Sequence, residues 1–313
     1  MKPVLYFVRA LPGADLSRVS ELFEVRGGAA RPPRREQLVE EARDATVLVP
    51  TYIDRVDAEL LAALPRLRQV ASYGVGVNHI DLEACRARGI LVTNTPGVVT
   101  EATADLAFGL VLAVARRIAE SDRLVRRGGW TGIDPGWMLG TEVNGKTLGI
   151  VGFGRIGQAV ARRATGFSMR VLYATPRDII FNGAERRTLE AILAESDIVS
   201  LHVPLTPATR NLIDRERIRA MKPGAILVNT ARGGVVDEAA LADALSSGHL
   251  GGAGVDVFAD EPHVPEALLR LENVVMTPHL GSGTRETRAA MSRMVLDEID
   301  RVARGGGPIH EVV

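Results

Sequence analysis

Cysteine occurs once in the 313 residues, at Cys85, so no intrachain disulfide can form and no cysteine cluster can hold a metal. No metal is expected, and a reducing cytoplasm is the expected location. No stretch approaches the roughly 20 apolar residues that a membrane helix needs. The apolar run near the N-terminus spans only Val4 to Val8. It is too short for a signal-peptide core and is read as a first strand. An excess of charge of either sign is missing too: Lys+Arg and Asp+Glu are both 38. That argues against a nucleic-acid or acidic-membrane partner, because affinity there comes largely from surplus cations. Internal repeats and low-complexity segments are absent. What remains is an ordinary globular balance, 46% hydrophobic and 24% charged, at a length that suits two domains.

Strand and helix signals alternate nearly throughout, which predicts an α/β fold with parallel sheets. In the first part the pattern predicts strands at 4–8, 46–49, 68–72 and 90–93, and a helix over Asp81–Arg88 closed by Gly89. The segment 26–35 is read as a polar surface excursion. A long helix is predicted over 100–127, with Thr100 and Thr103 at its N-terminal cap and Gly128-Gly129 as its stop. A second unit follows, with strands at 147–151, 169–173, 198–202, 225–229, 252–257 and 274–277. Their apolar runs suit strands buried on both faces of a Rossmann-like sheet. A last amphipathic helix is predicted over 285–304, with Ala289, Met291, Met294, Val295 and Ile299 facing inward. The expected organisation is a discontinuous first domain, 1–98 with 285–313, and a dinucleotide-binding domain at 99–284.

Leu148–Val151 reads as a strand, Gly152-Phe153-Gly154-Arg155-Ile156-Gly157 as a tight turn, and Arg155–Thr165 as the helix after it. Glycines at that spacing permit the turn, close approach of a pyrophosphate and close helix–strand packing. The helix N-terminus then faces the anion. About 20 residues on, an NAD site carries an acidic residue at the end of the second strand. Here that strand ends Ala174-Thr175-Pro176-Arg177, and the acid is missing. Arg177, with Arg155, suits a 2′-phosphate. Asp178 is the complication, since a carboxylate there would repel one. NADP is therefore preferred, with NAD as the alternative.

Three polar residues downstream each follow a predicted strand: Arg232 in Asn229-Thr-Ala-Arg-Gly, Glu261 in Asp-Glu-Pro, and His279 in Thr-Pro-His-Leu-Gly. The C-terminal ends of parallel strands face the ligand crevice. Arginine matches a carboxylate with paired donors, and histidine is the usual general acid near neutral pH. A carboxylate on the far imidazole nitrogen would fix the tautomer and keep the proton donor loaded. The alternatives are a salt bridge from Arg232 to Asp237 or Glu238, a structural histidine, and a solvated turn acid. His202 ends a strand and is placed near the adenine pocket. Asp256 is a candidate for orienting the nicotinamide carboxamide. In the loop from Ser72 to His79, the amides of Val75 and Gly76 could receive a substrate carboxylate.

Together these residues resemble the D-isomer-specific 2-hydroxyacid dehydrogenase family, most like its glyoxylate/hydroxypyruvate reductases. The match is carried by Gly74–Asp81, Asn94–Gly97, Leu139–Gly157, Pro204–Pro207, Asn229–Gly233, Gly254–Phe258 and Thr277–Gly281. The resemblance implies NAD(P)H-dependent reduction of a small 2-keto acid, glyoxylate or hydroxypyruvate, to the D-2-hydroxy acid. Arg232, Glu261 and His279 would be the catalytic set, and Val75, Gly76, Arg232 and His279 the substrate contacts. Thr103, Gly152–Gly157, Thr175, Arg177, Val203, Pro204, Thr209, Thr230, Ala231, Asp256 and Gly281 would line the cofactor site. It also implies a Rossmann-type domain inserted into a smaller flavodoxin-like one, a cleft that closes on substrate, and a homodimer built through about 100–145. Trp130 or Trp137 could reach the partner's site, the favoured alternative being a tryptophan packed in the interface. The substrate's far end is expected near Tyr6, Phe7, Thr51 or Tyr52, or near the partner's tryptophans. Ending at Val313, the chain lacks the regulatory extension of longer phosphoglycerate dehydrogenases, which weakens that reading and leaves it as an alternative. A non-catalytic NAD(P)-sensing, corepressor-like protein is the alternative from another class.

Overall fold

The computed structural model describes residues 2–313, and the chain forms two compact units, Met1–Val99 with Gly283–Val313 and Thr100–Ser282. In the first unit the elements run β1 (Val4–Phe7), α1 (Ser17–Leu22), β2 (Glu24–Gly27), α2 (Arg35–Glu41), β3 (Ala45–Val49), α3 (Ala58–Ala63), β4 (Gln69–Ala71), α4 (Leu82–Ala87) and β5 (Leu91–Thr93). The second unit holds α5 (Thr100–Ala115), α6 (Ile118–Arg126), β6 (Thr147–Val151), α7 (Arg155–Thr165), β7 (Arg170–Ala174), β8 (Ala184–Arg186), α8 (Leu189–Glu195), β9 (Ile198–Leu201), α9 (Arg215–Ala220), β10 (Ala225–Asn229), α10 (Glu238–Ser246), β11 (Leu250–Val255), α11 (Glu266–Leu269) and β12 (Val274–Met276). The chain then returns to the first unit as α12 (Arg285–Ala303).

The first unit is a five-stranded parallel sheet, ordered β2-β1-β3-β4-β5. Side chains alternate across a strand, and both faces are covered. Val4 and Tyr6 join Leu48, Val70 and Val92 on one face, under Leu60 and Leu61 of α3. Leu5 and Phe7 join Val47, Val49 and Ala71 on the other, under Met291, Val295 and Ile299 of α12. Double coverage explains why these strands read as unbroken apolar runs. It also removes Tyr6 and Phe7 from the substrate pocket. Both are core residues, and the Tyr6 hydroxyl donates to Glu41 at 2.5 Å. The α12 face differs in detail from the expected one. Leu296 is buried, while Ala289 and Met294 are only partly covered.

The second unit is a seven-stranded parallel sheet, ordered β12-β11-β10-β9-β6-β7-β8. Leu148, Ile150 and Val171 pack with Phe108 and Val111 of α5 on one face. Val151, Leu172, Val199 and Leu201 pack with Ile192 of α8 and Leu241 of α10 on the other. The order reverses at β6, whose two neighbours are β7 and β9, so the end of β6 is the switch point of a doubly wound sheet.

Three sequence expectations are corrected. The helix expected over 100–127 is two helices, because Arg117 takes a left-handed φ of 51°. The amide of Thr141 captures the Ala115 carbonyl at 2.7 Å, and Arg117 pairs with Glu120 at 2.7 Å to start α6. Thr103 does not cap α5; its hydroxyl donates to the Gly281 carbonyl at 3.1 Å. Finally, β2 and β8 were not expected. Both are short polar strands, the outermost of their sheets, with no residue of either fully buried. Among the described residues no helix is long and apolar enough to cross a membrane.

Candidate active site

The glycine loop lies at the switch point. Gly152 has a φ of 94°, and a methyl added to it would stand 2.6 Å from the His202 backbone. A methyl on Gly157 would stand 2.3 Å from the Gly152 carbonyl oxygen, so β6 and α7 pack at a distance only glycine allows. Gly154 differs: a methyl there would meet nothing within 4 Å, and the residue is the N-cap of the 11-residue α7. Open space over backbone amides at a helix N-terminus suits a pyrophosphate. The hydroxyl of Thr230 is buried near the end of β10 and has no partner among the described residues. These features fit a dinucleotide.

Past the end of β7, Thr175 Oγ1 accepts the Arg177 amide at 3.2 Å. The feared Asp178 carboxylate is engaged elsewhere, 3.4 Å from Arg186. Arg186 also donates to the Thr175 carbonyl at 3.1 Å. Arg186 was invisible to sequence reasoning because it ends β8, an unexpected strand in register with β7 through Tyr173. Among the described residues no carboxylate lies within ion-pair distance of Arg177 or Arg155.

His202 follows β9. Its Nε2 shares a 2.9 Å hydrogen bond with Ser200, while its Nδ1 is buried with no partner among the described residues. Burial pushes its pKa down to about 4, so the ring is neutral at physiological pH.

The three polar residues come together through the loops after β10, β11 and β12. His279 Nδ1 lies 2.7 Å from Glu261 Oε2. Glu261 Oε1 accepts the Phe258 amide at 3.0 Å, so the carboxylate is held at both oxygens. Burial alone would raise the Glu261 carboxyl. The hydrogen bond and charge of His279, the Phe258 amide and the Arg232 charge outweigh it, and Glu261 sits below its ordinary range. Arg232 is partly buried; burial lowers the pKa of its guanidinium, opposed by the charge of Glu261. Its Nη1 donates to the Ala231 carbonyl at 2.6 Å, and it forms no salt bridge with Asp237 or Glu238 among the described residues.

Asp256 fixes the loop that carries His279. Its Oδ1 accepts from the Thr277 hydroxyl and the Leu280 amide, both at 2.6 Å, and its Oδ2 accepts from the Gly281 amide at 2.9 Å. The Asp256 carbonyl accepts the His279 amide, and His279 itself takes a left-handed φ of 54°. Burial raises the Asp256 carboxyl, with these donors opposing. Glu238, named above only as a candidate partner of Arg232, has another role. Its carboxylate accepts the Ala259 amide at 2.7 Å, next to the amide that Glu261 accepts. Burial raises its pKa, with the Phe258–Glu261 turn's own acids, Glu261 and Asp260, adding to the rise and the Ala259 amide opposing.

Of the remaining residues, Thr209 caps its own turn, its hydroxyl donating to the Pro204 carbonyl at 2.6 Å and accepting the Thr206 amide at 2.8 Å. In the first unit, Val75 is exposed, and neither its amide nor that of Gly76 donates to another group among the described residues. A cavity of about 390 Å³ lined by Arg117, Thr141, Gly224, Gly251 and Glu272 lies at the N-terminal ends of β10 and β11. That is the opposite end of the sheet from His279.

A family model described as "D-isomer specific 2-hydroxyacid dehydrogenase, NAD binding domain" matches residues 108–281. A glyoxylate reductase from Thermococcus litoralis is 47% identical over 98% of this chain and 96% of the relative. One from Pyrococcus furiosus is 49% identical over 98% and 94%. Among solved structures, an NADPH-dependent glyoxylate/hydroxypyruvate reductase from Sinorhizobium meliloti, in complex with NADP and malonate, superposes with a TM-score of 0.90 at 35% identity. It covers 100% of this chain and 97% of that one. A Thermus thermophilus protein superposes with a TM-score of 0.93 at 47% identity, covering 99% and 100%.

Proposed function

The chain belongs to the D-isomer-specific 2-hydroxyacid dehydrogenase family, and from that membership we propose that it reduces glyoxylate to the achiral 2-hydroxy acid and hydroxypyruvate to the D-2-hydroxy acid. It is an NAD(P)-dependent oxidoreductase acting on the CH–OH group. The observation that supports this reading most is the 2.7 Å contact of His279 Nδ1 with Glu261, on loops adjoining Arg232.

When bound, the reduced nicotinamide supplies the hydride to the carbonyl carbon. Arg232 binds the substrate carboxylate through its paired N–H donors, and the amides of Val75 and Gly76 are assigned to the same carboxylate. His279 donates a proton from Nε2 to the carbonyl oxygen as negative charge develops there. Glu261 holds Nδ1–H, which fixes the tautomer and orients the ring so that Nε2 faces the carbonyl oxygen. One hydride and one proton convert the carbonyl to the alcohol, and solvent reprotonates His279. Gly152–Gly157, Thr103, Thr175, Val203, Pro204, Thr209, Thr230, Ala231, Asp256 and Gly281 are assigned to the cofactor.

The cofactor in this proposal is NADP in preference to NAD. Among the described residues Arg177 and Arg155 have no carboxylate partner, and the Asp178 carboxylate pairs with Arg186 at 3.4 Å. We therefore add Arg186 to the 2′-phosphate site. A homodimer through about 100–145 belongs to the same proposal. Ile118, Trp130, Ile133, Trp137 and Leu139 are exposed there, an apolar set that a second copy would cover. A cytoplasmic location completes it.

The test is loss of reduced-nicotinamide absorbance with glyoxylate, hydroxypyruvate and pyruvate, each with NADPH and with NADH. Turnover of the first two, faster with NADPH, is expected. NADPH binding without turnover of any keto acid would overturn the reductase reading in favour of a sensor.

A further inference from the structure

Arg288 sits in the first turn of the 19-residue α12, whose N-terminus Thr284 caps by accepting the Thr287 amide at 3.1 Å. A cation there faces the positive end of the helix dipole and is disfavoured by it. No carboxylate lies within ion-pair distance of Arg288 among the described residues. What the guanidinium has instead is aromatic. Its central carbon lies 5.3 Å from the Tyr52 ring centroid and 5.8 Å from that of Tyr73, and its Nη2 donates to the Tyr52 hydroxyl at 3.2 Å. Stability alone gives little reason to hold an unneutralised arginine at this point.

Its neighbours supply one. Tyr52 follows β3, in a turn locked by Asp54, which accepts the Thr51 amide at 2.8 Å and the Thr51 hydroxyl at 2.6 Å while pairing with Arg9 at 2.9 Å. Tyr73 follows β4, bridged to Thr51. A methyl added to Gly74 would stand 3.3 Å from Tyr52 Cβ, so Tyr52 lies directly against the loop whose Val75 and Gly76 amides have no acceptor among the described residues. Tyr52 thus forms a wall running from those amides to Arg288.

We propose that Arg288 is a specificity-determining residue that hydrogen-bonds the substituent beyond the keto group, with Tyr52 as the pocket wall. The inference rests on the proposed reduction of 2-keto acids, with the carboxylate on the Val75 and Gly76 amides. A guanidinium donates and cannot accept. It therefore favours a substituent bearing an acceptor oxygen, such as the hydroxymethyl of hydroxypyruvate, over the methyl of pyruvate. A site built to hydrogen-bond a hydroxyl rejects the analogue that lacks it, because its own polar group is then left unpaired.

The experiment compares kcat/KM for hydroxypyruvate, pyruvate and glyoxylate in the unaltered enzyme, Arg288→Met and Arg288→Lys. The unaltered enzyme is expected to prefer hydroxypyruvate over pyruvate, and Arg288→Met to lose that preference by about tenfold or more. Glyoxylate has no carbon substituent, so its kcat/KM is expected to fall less than that for hydroxypyruvate. Arg288→Lys, which keeps a cation beside the two rings, is expected to retain part of the preference. An equal fall for all three substrates in both variants would make Arg288 a structural support and overturn the inference. So would an unaltered enzyme that does not prefer hydroxypyruvate over pyruvate. Failure of the unaltered enzyme to reduce any of the three would instead overturn the reductase reading, and this inference with it.

Discussion

Gly233 and Phe258 meet backbone to backbone: a methyl added to Gly233 would stand 1.9 Å from the Phe258 carbonyl carbon and 2.2 Å from the Ala259 nitrogen. The contact ties the residue after Arg232 to the turn that presents Glu261. Phe258 and Ala259 give their amides to Glu261 and Glu238 in turn. The guanidinium and the His279–Glu261 pair are therefore positioned by one shared backbone contact.

Gly233→Ala cannot be accommodated by rotating a side chain, since both atoms it would strike are main chain. We expect a stability loss of about 1–3 kcal/mol, the usual range for overpacking. Activity is expected to fall further than stability explains, because Arg232 and Glu261 move apart. Urea unfolding and turnover on the same preparation check this. Near-normal kcat in the folded variant would separate the two residues.

Glu261 carries a lower pKa folded than unfolded. Its stabilising contribution is thus fully present above the ordinary carboxylate range. It is lost as pH falls through that range and below it. Glu261→Gln should therefore differ most from the unaltered protein near neutral pH, with the two urea midpoints converging on acidification. A midpoint difference that is constant with pH would contradict this.

His202 makes a separate contribution. Its folded pKa is pushed to about 4 from an ordinary 6.5. The unfolded chain takes up a proton first, so stability is full above 6.5 and falls as pH drops towards 4. The loss is on the order of 3 kcal/mol at most. His202→Asn should remove that part of the acid sensitivity. The check is the urea midpoint between pH 7 and pH 4 on both proteins.

Arg177 and Arg186 are predicted to read the 2′-phosphate. Replacing either by Ala should weaken NADPH binding by about tenfold or more, the usual weight of a charge-assisted hydrogen bond. NADH binding should change little. Nicotinamide fluorescence titration measures both without relying on turnover. An equal loss for the two cofactors would place the arginines outside the phosphate site.

Much of this fold was legible in the sequence for definite reasons. β6 and β10 stand where their apolar runs put them, and α7 runs from Arg155 to Thr165 as its glycine turn and 3.6-residue period imply. β2 and β8 were not legible because Glu24–Gly27 and Ala184–Arg186 are polar edge segments, defined by their sheet neighbour alone. With β8 went Arg186. The break after Ala115 carries no glycine or proline signal; it is imposed by Thr141, which takes the helix's carbonyl from 26 residues away. Among the polar residues, the sequence could suggest that Glu261 pairs with His279, because each sits in its own recognisable turn. It could not suggest that Glu238 accepts the amide of Ala259, 21 residues on, nor the three-donor task of Asp256.

The most direct test replaces His279 with Ala and measures two things on one preparation, glyoxylate reduction with NADPH and NADPH affinity by fluorescence. A proton donor outside the cofactor's grip should cost about 10²–10⁴-fold in kcat when removed, with NADPH affinity nearly intact. Turnover close to that of the unaltered enzyme, or loss of turnover and cofactor binding together, would contradict the role assigned to His279.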